Sequence, residues 1–266
     1  MKRYTSNDLE ICIATMNRSD LSFLEPMFNK PVSQIKFNIL VVNQSAAGNL
    51  RSDYDNITVL NDPVYGLSRS RNTALKQGNK ALCWFLDDDV VIASDAVTSI
   101  IAAFNKGNDD VLKIFKIANV EGFPFRAYNS SLKVLKRPVQ LRGMCSIELV
   151  VNRMQVLKTG VLFREDLGLG TDMPTGEEFV FAAQLLQQQA VITFEQAVIA
   201  KHDAHHSGLA LMDQPMLTAR GFIYGLVYPK TKKFHIVKYL VFLLRKGFIK
   251  SIKQFIITHK LLTSRV

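Results

Sequence analysis

Three consecutive carboxylates, Asp87, Asp88 and Asp89, directly follow an apolar run at residues 81–86 (ALCWFL). Clustered carboxylates repel one another, and beside a low-dielectric core one of them tends to hold a proton. A divalent cation removes this conflict, and carboxylate oxygens suit Mg2+ or Mn2+, which also bridge to substrate phosphates. The pattern predicts a metal site for a phosphorylated ligand. The alternative is a solvated turn whose aspartates cap the next helix.

Two arginines, Arg69 and Arg71, lie in the stretch 66–72 (GLSRSRN), which opens a predicted helix over residues 67–78. Near a helix N-terminus, arginines bind a diphosphate through charge-assisted hydrogen bonds that the helix dipole reinforces. The alternative is an ordinary basic helix face.

Two acids, Glu177 and Glu178, follow a glycine-containing loop at residues 168–176 and begin a predicted helix over residues 177–189. Acids at a helix start can simply complement the helix dipole. The functional interpretation is that one of them is a general base for an acceptor hydroxyl.

Three histidines, His202, His205 and His206, follow a predicted strand at residues 191–200. A neutral imidazole at this point can complete the coordination of a metal ion. The alternative is that the histidines belong to a surface turn.

Alternating strands and helices must position these groups. Further apolar runs predict strands at residues 9–15, 37–43, 57–60, 111–118 and 141–152, and further helices are predicted at residues 19–28 and 94–105. Near-continuous apolar strands separated by helices indicate an α/β fold, with a mostly parallel sheet covered on both faces. Ligands of such sheets bind at the carboxyl ends of the strands.

The charge divides the chain into two parts. Of the 266 residues, 33 are Lys or Arg and 23 are Asp or Glu, a net charge of +10. Residues 214–266 contain eleven of the basic residues and no acid, so residues 1–213 carry 22 basic against 23 acidic residues, a net charge of −1. We therefore predict one neutral domain over 1–213, divided near residue 110, and an appended basic helical tail over 214–266.

The tail has an amphipathic pattern over residues 234–262. Apolar residues recur at helical spacing on one half of the surface: Val237, Val241, Leu244, Phe248, Ile252 and Phe255. Basic residues fall mainly on the other half: Lys238, Arg245, Lys246, Lys250, Lys253 and Lys260. This pattern is typical of a helix that lies on an anionic membrane surface, with Gly247 as a point where it divides into two. The alternative is a helix packed on the domain with solvated lysines.

Several observations predict a cytoplasmic location. No apolar run reaches the ~18 residues that span a bilayer, and residues 1–8 are polar and lack the apolar core of a signal peptide. Cys12, Cys83 and Cys145 lie far apart and fit small buried side chains in a reducing compartment.

Five segments together resemble the family-two glycosyltransferases, in the branch that makes bacterial capsule and lipopolysaccharide sugars. They occur in the family's order over residues 9–208: ATMNR at 14–18, VVNQS at 41–45, GLSRSRN at 66–72, FLDDD at 85–89, and LGLG at 167–170 followed by GEE at 176–178. The resemblance implies a GT-A (Rossmann-like) fold and an inverting transfer that depends on Mn2+ or Mg2+. A nucleotide-diphosphate sugar would be the donor, and a hydroxyl of a glycan or lipid-linked acceptor would receive the sugar.

The resemblance also implies roles for individual residues. It assigns nucleotide-sugar binding to Thr15, Asn17, Arg18, Asn43, Arg69, Arg71, Asp87 and Asp88. It assigns the metal to Asp87, Asp89 and His202. The base corresponds to Glu178, where the family usually has the Asp of a Glu-Asp pair, and Glu177 is the alternative. Many relatives have Asp where this chain has Asn43. The sequence therefore leaves open which nucleobase the donor carries.

Three other functions fit the sequence less well. A sugar nucleotidyltransferase needs a glycine-rich phosphate loop, but the segment 14–18 (ATMNR) contains no glycine. A non-enzymatic nucleic-acid-binding protein fits poorly with a neutral domain, so we expect no nucleic-acid partner. An inactive scaffold fits poorly with the retention of both acidic clusters. We expect an enzyme on the cytoplasmic face of the inner membrane that binds a sugar donor and a glycan or lipid-linked acceptor.

Overall fold

The structure is a computed structural model that describes residues 3–107, 109–128, 133–203 and 211–264. In these residues one sheet contains the strands β1 Leu9–Met16, β2 Asn38–Gln44, β3 Ile57–Asp62, β4 Leu82–Asp87, β5 Val91–Ile92, β6 Asp110–Ala118, β7 Val134–Leu135, β8 Leu149–Asn152 and β9 Val191–Lys201. The helices are α1 Leu24–Phe28, α2 Leu67–Gln77, α3 Ala96–Lys106, α4 Arg153–Thr159, α5 Glu177–Gln187, α6 Gln214–Val227, α7 Lys232–Arg245 and α8 Ile252–Thr263.

The sheet has a parallel half and a mixed half. The strand order is β3-β2-β1-β4-β8-β6-β9-β5, with β7 paired to β9. Strands β3, β2, β1 and β4 are mutually parallel, whereas β8 runs antiparallel to both of its neighbours. The predicted α/β class is confirmed, and the first four strands of the order form its parallel half.

Two apolar layers cover the sheet because successive side chains of a strand point to opposite faces. Ile11 and Ile13 of β1 belong to the layer that includes residues of α1 and α3. Cys12 between them belongs to the other layer, which includes residues of α2, α4, α5 and α6. Burial on both faces explains why the strands are apolar along their whole length.

Two predicted elements are shorter than expected. The helix predicted over residues 19–28 is helical only in α1 (Leu24–Phe28). The Asp20 carboxylate accepts a hydrogen bond from the Ser22 N–H at 2.8 Å and stabilises a turn before it. The strand predicted over 141–152 is only β8, and two 3-10 turns at Pro138–Leu141 and Ser146–Glu148 precede it.

The tail forms three helices that pack on one another and on the domain. Gly221 of α6 permits the close approach of α8, since a Cβ atom there would lie 2.1 Å from the Leu262 carbonyl oxygen. The predicted break at Gly247 is confirmed: α7 ends at Arg245, and Gly247 has a φ of +73°. Within the described ranges, none of the helices has the length and apolarity needed to cross a membrane.

Candidate functional site

The parallel strands bring the predicted polar residues to one edge of the sheet. In the register of β1, Thr15 is opposite Asn43 of β2, and Ala14 is opposite Asp87 of β4. The carboxyl ends of parallel strands necessarily share an edge. Residues distant in sequence therefore form one site.

Thr15, Arg18 and Asp88 form a hydrogen-bonded group at this edge. The Thr15 hydroxyl donates to Asp88 Oδ2 at 2.5 Å, and Arg18 Nε and Nη2 donate to the same oxygen at 2.9 and 2.7 Å. The Arg18 guanidinium also lies 5.2 Å from the centre of the Phe23 ring. An exposed ion pair contributes little to the free energy of folding. The main effect of these hydrogen bonds is to hold the segment after β1 against the segment after β4.

Asn43 is fully buried and orders the turn after β1. Its Oδ1 accepts from the Arg18 backbone N–H at 3.1 Å. Its Nδ2 donates to the Arg18 carbonyl and to Asn61 Oδ1, each at 3.1 Å. Asn17 has a φ of +54° in this turn and accepts a hydrogen bond from the Tyr65 hydroxyl at 2.9 Å. Both ends of the Asn43 amide are engaged, so this side chain positions the residues around it.

The two arginines of α2 have different surroundings. Arg69 is partly exposed, and its Nε and Nη2 donate to the two carboxylate oxygens of Asp62 at 2.8 and 3.2 Å. Arg71 is only 3 % exposed. Its Nη1 lies 3.2 Å from both Glu177 Oε1 and Glu178 Oε1, and its Nη2 lies 3.7 Å from Asp87 Oδ1. Arg71 therefore joins the end of β4 to the start of α5.

Asp87 and Asp89 have opposite electrostatic environments. Burial raises the pKa of Asp87, and its Oδ1 is a buried atom without a hydrogen-bond donor among the described residues. A hydrogen bond from His202 lowers the pKa of Asp89, and the same contact, 3.3 Å between His202 Nε2 and Asp89 Oδ1, raises the pKa of His202. His205 and His206 lie outside the described residues.

The described part of the chain contains no group of three or more His, Cys, Asp or Glu side chains close enough to enclose a metal ion. Mg2+ is usually held by one or two carboxylates, with phosphate and water oxygens in the other positions, so it needs no such cage. The Asp87 oxygen that lacks a hydrogen-bond donor and the neighbouring Asp89 carboxylate fit an ion of this type.

Of the two acids at the start of α5, Glu177 is buried and Glu178 is half-buried. Burial, followed by repulsion from Glu177, raises the pKa of Glu178. Gly168, with a φ of +103°, permits this arrangement because a Cβ atom there would lie 3.0 Å from the Glu177 carboxyl carbon. A carboxyl group with a raised pKa in a partly enclosed site is suited to proton transfer.

A model of the family described as "Glycosyl transferase family 2" matches residues 10–158, more than half of the chain. The chain belongs to this family. It is therefore a glycosyltransferase. The match ends before Glu177 and Glu178, so it covers the strand-edge residues but not the acid pair.

Solved structures support the GT-A fold of this family 2 glycosyltransferase. It is similar to S. aureus TarS 1–349, with a TM-score of 0.55 and 13 % identity over 81 % of this chain and 64 % of that one. The similarity to TarS 1–349 in complex with UDP-GlcNAc has a TM-score of 0.55 and 15 % identity, again over 81 % of this chain and 65 % of the other. This chain spans only 39 % of the longer TarS structure. No curated protein matches it.

The structure also shows a cavity that the sequence analysis did not predict. It borders Glu178 and is partly lined by Arg220 of α6 and Lys238 of α7. The absence of acids in residues 214–266 was the available signal, but the helical period does not indicate that the basic face around Lys238 borders a cavity of the family 2 enzyme.

Proposed function

We propose that this glycosyltransferase moves a sugar from a nucleotide-diphosphate sugar to a hydroxyl of a glycan or lipid-linked acceptor in bacterial surface polysaccharide synthesis. The observation that carries the proposal is the position of Arg71. Its buried guanidinium contacts Asp87 at the strand edge and both acids of α5. A single cation thus links the proposed donor end of the site to the proposed base.

The strand edge would hold the donor. Arg18 and Arg69 are partly exposed and can turn to a diphosphate, and Thr15, Asn17 and Asp88 surround the same edge. Asn43 and Arg71 would act as positioning residues, since both are buried and already paired. TarS is described in complexes with UDP and UDP-GlcNAc, which makes a uridine donor the first to test.

A divalent ion, Mn2+ or Mg2+, would be held by Asp87 and Asp89, with phosphate and water oxygens in its other positions. His202, the further ligand that the resemblance implies, contacts Asp89 through Nε2 at 3.3 Å and would bind the ion only after leaving that contact. When bound, such an ion neutralises the charge of the departing diphosphate. The protein's own contribution there would be to orient the two carboxylates and to keep the leaving group beside Arg18 and Arg69.

Glu178 would be the base of an inverting single displacement, with Glu177 as the alternative. Its carboxylate would accept the proton of the acceptor hydroxyl as that oxygen attacks the anomeric carbon from the face opposite the diphosphate. Arg71 would hold the base in place without contacting the reacting atoms.

A thermal-shift screen tests the proposed donor. At least one nucleoside diphosphate should raise the melting temperature of the protein, and more so with Mn2+ than without it, because a ligand that binds only the folded state stabilises it. Nucleoside monophosphates are the matched control. Equal shifts for mono- and diphosphates, or a diphosphate shift that Mn2+ leaves unchanged, would count against the metal-bound diphosphate.

The tail supports a second part of the proposal, peripheral attachment of the enzyme to the cytoplasmic face of an anionic inner membrane. Helix α7 packs on α6 and α8 through Ile236, Leu240 and Leu243, which belong to a buried apolar cluster shared by the three tail helices. Part of the apolar stripe predicted from the sequence is exposed, namely Val237, Val241 and Leu244 of α7 and Ile252 of α8. Phe255 of the same stripe instead packs against the buried cluster. Exposed apolar residues among lysines are typical of an interfacial helix, and each basic residue near an anionic surface contributes about 1 kcal/mol.

Vesicle flotation tests this attachment. Replacing exposed Val237 and Ile252 by Gln should reduce flotation with anionic vesicles at least several-fold, because these side chains would insert between lipids. The matched control replaces Val120 and Met154 by Gln, which are also exposed but lie on the domain. If the two double variants float equally well, or the wild type does not float, the tail does not dock on the membrane.

A further inference from the structure

A cavity of about 450 Å³ borders Glu178, the proposed base. Its walls come from the segment before β8, the start of α5 and the tail helices α6 and α7. Its volume is within the range of small-molecule sites. The cavity therefore lies where an acceptor must place its hydroxyl if Glu178 is the base.

The charged groups of this cavity are nearly all positive. Arg142, Arg220 and Lys238 line it, and none of the three forms an ion pair with a carboxylate in the part of the chain that the structure describes. Among the described residues, the one acid in its lining is Glu178, which is bound to Arg71. Three cations from separate segments thus face a shared space without a counter-ion.

The positive charges of this cavity also affect the neighbouring His235. Its Nδ1 lies 3.4 Å from Arg142 Nη2. Burial, Arg142 and Lys238 lower the pKa of His235, so at neutral pH the imidazole is uncharged and its Nδ1 can accept from the guanidinium. The cationic character of the cavity therefore comes from the two arginines and the lysine.

Aromatic rings form the rest of the lining. Tyr224, Tyr239 and Phe242 face the cavity, and the Arg220 guanidinium lies 4.4 Å from the centre of the Tyr239 ring. A cation–π contact of this kind fixes the guanidinium while its N–H groups stay free to donate. Aromatic faces also suit the apolar C–H face of a sugar ring.

We propose that this cavity is the acceptor site and that it selects a saccharide carrying a phosphate or carboxylate near the reacting hydroxyl. The inference rests on the proposed assignment of Glu178 as the base. An anion would relieve the repulsion among Arg142, Arg220 and Lys238, and arginine binds phosphate and carboxylate through paired hydrogen bonds. The tail would then complete the acceptor site in addition to any contact with lipid.

Calorimetric titration with three sugars tests the proposal: glucose 6-phosphate, glucuronate and glucose, each with the full-length protein in excess UDP. Glucose 6-phosphate or glucuronate should bind at least about ten-fold more tightly than glucose, as expected for one additional charge-assisted contact. The comparison of phosphate with carboxylate identifies which anion is preferred. Equal affinity for all three sugars would overturn the proposal.

Two double variants locate the binding. Arg220→Gln with Lys238→Gln should abolish the preference for the anionic sugar, whereas Lys246→Gln with Lys250→Gln should retain it, because those two exposed lysines lie outside the cavity. An equal loss in both variants would indicate non-specific attraction and contradict the site.

Binding of vesicles containing phosphatidylglycerol is measured in parallel. If the cavity variant loses vesicle binding but keeps the preference for the anionic sugar, these cations serve the membrane and the proposal fails.

The proposed function is tested separately by titrating UDP and other nucleoside diphosphates into the wild type. A wild type that binds no nucleotide contradicts the donor assignment, whereas the sugar titrations, repeated without UDP, still decide whether the cavity selects anions. The two failures are therefore distinguishable.

Discussion

Glu178→Gln is expected to lower turnover by at least ~10²-fold and to leave nucleoside diphosphate affinity within about two-fold of the wild type. Gln is nearly isosteric with Glu, and its amide can still lie beside Arg71, but it cannot accept the proton of the acceptor hydroxyl. The donor would bind at the strand edge, and Glu178 is separated from that edge by Arg71. The measurement is steady-state product formation together with calorimetric titration of the nucleotide.

The pH dependence supplies a second readout of the same residue. Burial and repulsion from Glu177 raise the pKa of Glu178 to about 8. A base acts in its deprotonated form, so kcat/KM of the wild type should fall as the pH decreases below about 8. The residual activity of Glu178→Gln should lack this decrease, because the titrating group has been removed.

Glu177→Gln is the matched control. Glu177 contacts the same Arg71 nitrogen at the same distance of 3.2 Å, so both variants disturb the buried ion pairs similarly. If Glu178 is the base, Glu177→Gln should keep substantially more activity than Glu178→Gln. If Glu177→Gln is inactive and Glu178→Gln is active, the two roles are reversed.

Asp89→Ala is expected to abolish transfer while the melting temperature stays close to that of the wild type. Asp89 is a mostly exposed carboxylate whose described partner is His202, so its loss removes a proposed metal ligand without opening the core. The enhancement of nucleoside diphosphate binding by Mn2+ should disappear in the same variant. Turnover and nucleotide titrations at several Mn2+ concentrations measure both effects.

Asp55→Ala provides the comparison for this variant, because Asp55 is also an exposed aspartate but lies in the turn before β3. It should behave as the wild type in both assays. Normal transfer by Asp89→Ala under limiting Mn2+ would show that this carboxylate holds no ion needed for the reaction.

The strand edge was predictable from sequence for a geometric reason. Parallel strands end at a common edge, so Thr15, Asn43 and Asp87 had to lie close together once their apolar runs were identified as parallel strands. The tail was predicted as helical from the period of its apolar residues, and the break at Gly247 followed from the local preference of glycine.

Other features depend on long-range packing that no local pattern encodes. The burial of Arg71 requires α2 to face α5, more than one hundred residues later in the chain. Strand β8 inserts antiparallel between β4 and β6, although its apolar run is equally compatible with an edge strand. The cavity beside Glu178 forms because α7 packs on α6, which places the exposed Lys238 in its lining. Apolar residues occur on both sides of α7, so the period alone could not decide which side packs.

The most direct test of the central claim is the identity of the products formed from a nucleotide sugar. The wild type is incubated with Mn2+ and a panel that begins with UDP-GlcNAc, and the phosphorylated products are followed by 31P NMR, with water as a slow acceptor. Glycosyl transfer should release a nucleoside diphosphate from at least one donor, because the bond broken is the one to the anomeric carbon. Release of a nucleoside monophosphate, or consumption of none of the donors, would contradict it.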